Sequence, residues 1–368
     1  MYIFRPICFN VVKGPLKKIL SCRMATRSVI IDDNLSEVKI EKLNDRSLLY
    51  TGGRDAFEFL QMYSTNDLQC LLKDKQSVYT TFLNTRGRVI HDVFIYNKSL
   101  KEKSFLIESD QHSSRALYIH LAIHRKLKDV ILVPRDDKYS VWVIFDPNIL
   151  QKPPSQMFNH GVYETSDLSF LEEVDFGDEV MVCYDPRIIS IGIRIVAPTG
   201  LDIYNLVRQH GFKAIKANPG EFKLFRYKLG ICEGLNEVLY GKNYPSELNC
   251  DLLNGMSNKK NYYFGREAVN VMDTNVEQRV VPIKIMSDKA ISFPINTPLM
   301  DLERRKKKPI GYLRGLQGVH GIALMQVTKR NCEREVRIGN ILAQCTKPFW
   351  WSEINQYDIS AKQNICKA

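Results

Sequence analysis

The chain has 368 residues and a formal net charge of +11, from 52 Lys and Arg against 41 Asp and Glu. Its 44% hydrophobic and 25% charged content is typical of a folded globular protein with two or three domains. No apolar run approaches the ~18 residues that a membrane span needs, so we expect no membrane span. The nine cysteines form no C-x-x-C pair, which argues against a disulfide framework and against a cysteine metal site.

The N-terminal segment holds much of the positive charge. Residues 1–31 carry six Lys and Arg and no acid, with apolar residues between the charges. This composition predicts a mitochondrial presequence over 1–31, and the alternative is a disordered basic tail. Because the segment accounts for six of the eleven net charges, the rest of the chain is only modestly basic. With no nucleic-acid motif present, we expect no nucleic-acid partner.

The elements that follow mix strands and helices. Residues 37–50 alternate as short strands, and 54–63 have the spacing of an amphipathic helix. Two strand-like runs, 77–83 and 88–96, surround Asn84-Thr85-Arg86-Gly87 and predict a hairpin. Further helices are predicted at 114–127, 201–210 and 221–229, and further strands at 130–133, 139–145 and 179–184.

The pattern changes after about residue 278. The segments VVPIKI, AISFPI, PIGYL and GIALMQV predict short strands of a small terminal β-barrel. Because strands and helices lack strict βαβ alternation, the fold class is predicted to be α+β. We place the main α+β domain at 32–275 and the barrel domain with its tail at 276–368.

Three weaker motifs each have a structural alternative. His120 and His124 are spaced i,i+4 on a predicted helix, but the sequence offers no third ligand. We therefore interpret them as a solvated histidine face and predict no metal site. The basic run Arg304–Lys308 could contact phosphate, but a charged turn between barrel strands is the favoured interpretation. A phosphate-binding P-loop and a dinucleotide fingerprint are both absent from the sequence.

The segment 226–267 is unusually rich in polar residues. Pro245, Glu247, Asn249 and Asp251 precede Leu-Asn-Gly-Met-Ser, and Lys260 to Glu267 follow. Buried polar groups this dense are costly unless they are paired or used for a ligand. From the residues alone, a ligand loop and a structural polar network are equally good interpretations.

These residues resemble the YgfZ/GcvT-like folate-binding family, and most closely its mitochondrial iron–sulfur cluster assembly branch. The family pattern P-x-E-x-N, L-N-G-V-S and K-G-C-Y-x-G-Q-E matches 245–249, 253–257 and 260–267. Further matches are Phe59-Leu60-Gln61, Phe82-Leu83-Asn84, Asp185-Pro186-Arg187 with Arg194, and Gly311 through Leu324. The resemblance therefore extends over nearly the whole chain after the presequence.

Two departures from the family pattern bear on function. The family cysteine is Tyr262 here, and a tyrosine cannot ligate a cluster as a thiolate does. The protein thus works without that thiol, or another cysteine such as Cys250 replaces it, or the activity is lost. In the related aminomethyltransferase two adjacent acids follow the hairpin turn, and the corresponding pair here is His91-Asp92. Loss of one carboxylate weakens an enzymatic interpretation.

The resemblance implies a GcvT-like folate-binding fold with a C-terminal small β-barrel. It implies a cavity in which Arg86, Arg88, Arg226 and Lys260 attract an anionic ligand. The ligand-binding residues would be Asn84, Arg86, Arg88, Asp92, Arg226, Glu247 and Asn249. The family-motif residues would be Lys260, Tyr262, Tyr263, Gly265, Arg266 and Glu267. Catalytic residues are not assigned.

The function implied by the resemblance is late maturation of [4Fe-4S] proteins in the mitochondrial matrix. The partners would be A-type iron–sulfur carrier proteins, and tetrahydrofolate is the candidate cofactor. An iron–sulfur cluster would be held only transiently or through the partner. The alternative function is that of a tetrahydrofolate-dependent aminomethyltransferase.

Overall fold

A computed structural model describes residues 38–351, apart from 74, 100, 152–178, 211–212, 273–275, 288–290, 303–307 and 328–331. The predicted presequence and almost all of the basic run Arg304–Lys308 lie outside the described residues. Both therefore stay predictions.

Two five-stranded sheets form the first part of the chain. The strands described there are β1 (Val38–Leu43), β2 (Arg46–Gly52), β3 (Ser77–Leu83), β4 (Val89–Ser99), β5 (Ser104–Asp110), β6 (Ile131–Pro134), β7 (Tyr139–Phe145), β8 (Met181–Tyr184), β9 (Ile193–Pro198) and β10 (Ala214–Lys216). One sheet has the order β10-β1-β7-β9-β8, and the other has the order β3-β4-β5-β2-β6. The predicted hairpin is confirmed, since β3 pairs antiparallel with β4.

Short helices cover these sheets. They are α1 (Ala56–Tyr63), α2 (Ser114–Arg125), α3 (Ile203–Gln209), α4 (Glu221–Leu229) and α5 (Arg266–Met272). Helix α1 buries Phe57, Phe59 and Leu60 on the β3–β6 sheet, as its apolar spacing predicts. Helix α4 ends at Gly230, whose φ of 74° suits the left-handed cap that glycine adopts without strain.

The C-terminal part is a closed six-stranded barrel. Its strands are β11 (Gln278–Ile285), β12 (Pro298–Asp301), β13 (Gly311–Gln317), β14 (His320–Gln326), β15 (Arg334–Ile338) and β16 (Ile341–Cys345). The strand predicted from AISFPI, residues 290–295, is wrong: 291–295 form a loop and the strand begins at Pro298. Pro294 has no N–H for a ladder, and Asn296 has a φ of 69°, which turns the chain there.

Three apolar cores hold these layers together. One lies between the β3–β6 sheet and helices α1 and α2, and another lies between the β10–β8 sheet and α3. The largest joins both sheets, α4, the 245–269 segment and the barrel interior. The α+β fold with a terminal barrel is therefore confirmed. Among the described residues, none of the helices is long and apolar enough to cross a membrane.

Candidate functional site

The hairpin turn between β3 and β4 is the centre of the predicted site. The Asn84 side-chain oxygen accepts hydrogen bonds from the backbone N–H groups of Arg86 (2.9 Å) and Arg88 (3.0 Å). The amide of Gly87 also donates to the Asn84 carbonyl at 3.0 Å. Asn84 therefore shapes the turn, and the turn presents Arg86 to solvent.

The segment 240–244 packs along one side of this turn. The amide of Val89 donates to the Asn243 carbonyl, and that of Gly241 donates to the Val89 carbonyl, both at 2.8 Å. The Arg88 guanidinium bonds the Lys242 carbonyl and lies 4.3 Å from the centre of the Tyr244 ring. Arg88 is therefore half-buried, and protein groups already contact part of its guanidinium.

The family-motif loop packs along the other side. Gly265 has a φ of 87°, and a Cβ there would lie 2.7 Å from the Asn84 carbonyl oxygen. Arg266 donates to the Lys260 carbonyl, and its guanidinium lies 5.9 Å from the centre of the buried Tyr263 ring. Glu267 is exposed in the first turn of α5. The loop thus fits closely against the turn because one position has no side chain.

Lys260 has a structural partner set. Its buried ammonium donates to the carbonyls of Gln61, Ser64 (2.6 Å) and Asn66 (2.9 Å). These carbonyls lie at and just beyond the C-terminal end of α1, where the helix dipole favours a cation. Burial lowers the pKa of Lys260 to about 7, and the nearby Asp67 acts in the opposite direction. Lys260 therefore joins the motif loop to α1.

Tyr262, which stands at the family cysteine, lies on the surface. Its side chain is 62% exposed, whereas Tyr263 beside it is 3% exposed. Cys250, the candidate replacement thiol, is fully buried, and burial raises its pKa well above the usual range. A buried neutral thiol cannot act in place of a surface thiolate, so Cys250 does not replace the family cysteine.

The P-x-E-x-N segment forms a structural polar network. Glu247 accepts hydrogen bonds from the backbone N–H of Tyr244 (2.9 Å) and the side chain of Asn243 (3.1 Å). Asn249 donates to the Val280 carbonyl at 2.8 Å. The Arg279 side chain contacts Asn249 at 3.2 Å, and its ion pair with Asp251 is 2.7 Å long. These residues therefore fix the loop to β11.

Asp92 and Arg226 lie deeper, and protein groups bind both. The Asp92 carboxylate accepts a hydrogen bond from the Gly234 amide at 3.1 Å, and burial raises its pKa. Arg226 is 3% exposed and pairs with Glu237 at 2.9 Å. Of the four expected cations, Arg226 and Lys260 are therefore paired with or capped by protein groups, Arg88 is half-buried, and only Arg86 is exposed.

A buried ion network, not predicted from the sequence, connects the two sheets. It consists of Arg46, Glu108, Asp185, Arg187, Arg194 and Glu233. Arg194 lies 2.6 Å from Glu233 and 3.0 Å from Asp185, and it also pairs with Glu108. Burial alone would raise the pKa of Glu233, but the surrounding arginines hold it well below the usual range. In the sequence, Asp185, Arg187 and Arg194 stand out only as matches to the family pattern. Their opposite charges are the one sequence feature that could have indicated an ion network.

The histidines also occupy unexpected positions. His91 is 3% exposed, and its ring centre lies 6.1 Å from that of His120. The centres of His120 and His124 are 4.4 Å apart, and both rings pack on Tyr63. The interpretation of His120 and His124 as a solvated face is wrong, because α2 turns them toward the sheet and the motif loop.

Three comparisons identify what the chain is similar to. Residues 278–353 match the family model described as the CAF17 C-terminal beta-barrel domain. The mouse protein "Iron-sulfur cluster assembly factor IBA57, mitochondrial" is 26% identical over 327 residues, which cover 84% of each chain. A homologue of the same name from Neurospora crassa is 26% identical over 268 residues. The chain spans only 55% of that fungal relative's length, against 71% of its own.

A solved structure shows the same fold. The glycine cleavage system aminomethyltransferase T from Bartonella henselae superposes with a TM-score of 0.61, at 16% sequence identity. The superposition covers 85% of this chain and 86% of that one. Both sheets and the barrel therefore belong to one known architecture. The chain therefore has a GcvT-like fold, and its sequence is similar to those of mitochondrial iron–sulfur cluster assembly factors.

Proposed function

We propose that the chain is a mitochondrial matrix factor for the late maturation of [4Fe-4S] proteins. The observation that carries the proposal is the match to the mouse cluster assembly factor over 84% of both chains. The proposal for the matrix also rests on the basic, acid-free segment 1–31. Residues 1–35 fused to a reporter should be imported into mitochondria, and a diffuse cytosolic signal would contradict that part.

The geometry supports a scaffold that binds a partner. The side chains of Lys260 and Glu247 hold the motif loop in place, and Gly265 lets it pack closely on the hairpin turn. The loops on the two sides of the turn then present Tyr262 and Tyr240, which are 62% and 52% exposed. Exposed tyrosines beside cations are typical of protein interfaces. Arg86, Lys242 and Lys259 are the exposed cations in these segments.

We propose that an A-type iron–sulfur carrier docks on this surface and keeps the cluster on its own ligands. The surface carries Tyr262 where the family has a thiol, so the docking role does not require a cysteine there. Of the alternatives that the sequence left open, this proposal adopts the one in which the chain works without that thiol. The cluster is the cargo of the partner rather than a resident group of this chain.

A reconstitution experiment tests the assembly role. The purified chain, a cluster-loaded A-type carrier and apo-aconitase should give faster recovery of aconitase activity than carrier and apo-aconitase alone. Replacing Tyr240 and Tyr262 together by alanine should abolish both the acceleration and co-elution with the carrier. Tyr312→Ala, at a 38% exposed position on the barrel, is the matched control. Equal rates with and without the chain would contradict the proposal.

The aminomethyltransferase function remains the second candidate because the fold covers 86% of such an enzyme. His91 stands where a carboxylate would assist the folate chemistry, and burial lowers its pKa to about 3. A neutral imidazole supplies no negative charge for an iminium intermediate. We therefore expect no glycine-cleavage activity from the purified protein, and His91→Asp, which restores a carboxylate at this position, is the variant to assay beside it. Turnover by the unmodified protein would favour the second candidate.

We propose that tetrahydrofolate binds this chain as an auxiliary ligand and is not a substrate. Arg226 and Lys260 already have protein partners, so they do not fit the expected role of contacting an anion. Arg86 fits it, because it is exposed at the turn; Arg88 beside it is only half-buried, although it also contacts the Lys242 carbonyl. A folate whose glutamate tail binds here should lose affinity in Arg86→Gln and Arg88→Gln variants. Arg115→Gln, an exposed position on α2, is the control. Equal affinity in the turn variants and the control would contradict this assignment.

A further inference from the structure

We propose that the outer side of helix α2 and the loop after it bind the surface of a lipid bilayer with anionic headgroups. Five of the thirteen large apolar side chains that are exposed among the described residues lie in the one segment 118–131. They are Tyr118, Ile119, Ile123, Leu127 and Ile131, and Ile123 is 65% exposed and Leu127 fully exposed. A single exposed apolar residue is normal, but a cluster of them marks a surface that binds a partner.

Helix α2 is apolar on two opposite sides. Leu117 and Leu121 are fully buried in the core beneath the helix. Ile119 and Ile123 are about one helical turn apart, so they share the opposite side, which faces solvent. Within the described residues, the fold thus leaves this side of α2 uncovered.

The loop after α2 holds Leu127 out in solvent. The chain turns at Lys126, whose φ is 45°. The Arg125 guanidinium then donates to the Val130 carbonyl at 3.0 Å, across the loop. Because this bond ties the loop to the end of the helix, the full exposure of Leu127 is part of the folded structure.

The charge around these apolar residues indicates the class of partner. The segment 114–128 contains four basic residues and no acidic one: Arg115, Arg125, Lys126 and Lys128. The next residue, Asp129, has its carboxylate 3.8 Å from the Arg54 side chain, which offsets its charge. Lysine and arginine side chains near an anionic bilayer are attracted to it, and salt screens the attraction. The outer side of α2 is therefore complementary to anionic headgroups.

The types of apolar residue favour lipid over a protein partner. Four of the five exposed apolar side chains in 118–131 are isoleucine or leucine. A basic helix with such a side typically lies in the plane of the bilayer surface and buries that side among the acyl chains. Protein-binding sites instead draw most of their affinity from Trp, Tyr and Arg, and leucine is under-represented there. Tyr240 and Tyr262 fit that description, whereas the outer side of α2 is mainly aliphatic.

A tryptophan reporter on α2 tests the proposal in the full-length protein. The three native tryptophans are buried, so Ile123→Trp adds an exposed indole at the surface in question. With vesicles of phosphatidylcholine and about 30% phosphatidylglycerol, its emission should shift to shorter wavelength, and brominated acyl chains should quench it. Leu342→Trp, at a 43% exposed position on the barrel, is the matched control and should show neither effect. Absence of both effects at position 123 would overturn the proposal, even if segment 1–31 holds the protein on the vesicles.

Co-sedimentation with the same vesicles measures the affinity. Replacing Ile123 and Leu127 together by glutamine should lower it at least about tenfold, and replacing Arg115 and Lys126 together by glutamine about fivefold or more. Leu342→Gln should bind as the unmodified protein does, and pure phosphatidylcholine vesicles should bind all variants weakly. Equal affinity of the α2 variants and Leu342→Gln would overturn the proposal. So would self-association of the protein that the Ile123 and Leu127 replacements remove without a change in vesicle binding, because the partner would then be a second copy.

Discussion

At the scale of single residues, Lys260 belongs to the family motif, but its contacts stabilise the fold. Its ammonium holds three carbonyls at the end of α1. Lys260→Met should lower the free energy of unfolding by about 2–3 kcal/mol, because it leaves buried carbonyls without a donor. Lys259→Met, one residue away and exposed, should change it by less than about 0.5 kcal/mol. Urea unfolding of both variants measures the difference, and equal stability would exclude the structural role.

His91 predicts a pH dependence of stability. Burial and the nearby His120 lower its pKa to about 3 in the folded protein, from the usual 6.5 of a histidine side chain. The unfolded state therefore binds more protons below pH 6.5, so stability falls as the pH falls. His91→Phe should remove about 2 kcal/mol of the loss between pH 7 and pH 5. Urea unfolding at both pH values measures this, and identical pH profiles would contradict the buried neutral state.

The sequence identified many polar residues of the site but not their partners. Glu247, Asn249 and Asp251 are adjacent in the chain, so their joint importance is visible as a pattern. Whether they bind a ligand or one another depends on Arg279, about thirty residues away, which the fold brings to Asn249 and Asp251. The contact between His91 and His120 also depends on the fold, because the two residues lie on different elements. Residue chemistry is local, whereas pairing depends on the tertiary fold.

At the scale of elements, the hairpin turn and the motif loop fit together through glycine. Gly265→Ala should lower the free energy of unfolding by about 2 kcal/mol or more, because its φ of 87° and its contact with the Asn84 carbonyl exclude a Cβ. Gly200→Ala is the control, since no atom lies within 4 Å of a Cβ there. Chemical denaturation and limited proteolysis of the 259–267 loop measure the effect. A stable Gly265→Ala variant with a protected loop would contradict this fit.

Elements with strong periodicity were predicted well, and those with mixed patterns were not. The predicted bounds of β3 (77–83) and of the 221–229 helix are the same as the observed bounds. Strand β5 was not predicted, because its segment SFLIESD contains acids that are normally exposed. In the fold β5 is buried throughout, and its Glu108 pairs with Arg46 and Arg194. The barrel strands β15 and β16 were also missed, since they are short and rich in polar residues.

At the scale of the whole molecule, the buried ion network ties the two sheets to the segment after α4. Glu233 is the common partner, with Arg187 at 2.7 Å and Arg194 at 2.6 Å. Glu233→Ala should cost about 3–5 kcal/mol, because it leaves buried arginines without a counter-charge. Glu267→Ala, at an exposed position, is the control. Calorimetric melting measures both, and a small cost at Glu233 would show that the sheets do not depend on this network.

At this scale we propose that a GcvT-like fold serves as a scaffold for [4Fe-4S] maturation. Aconitase activity in cells depleted of this chain tests that claim most directly, with re-expression of the chain as the control. The account predicts that depletion lowers aconitase and lipoate-dependent activities, spares [2Fe-2S] proteins, and is reversed by re-expression. Unchanged [4Fe-4S] enzyme activity, or an equal loss of [2Fe-2S] proteins, would contradict it.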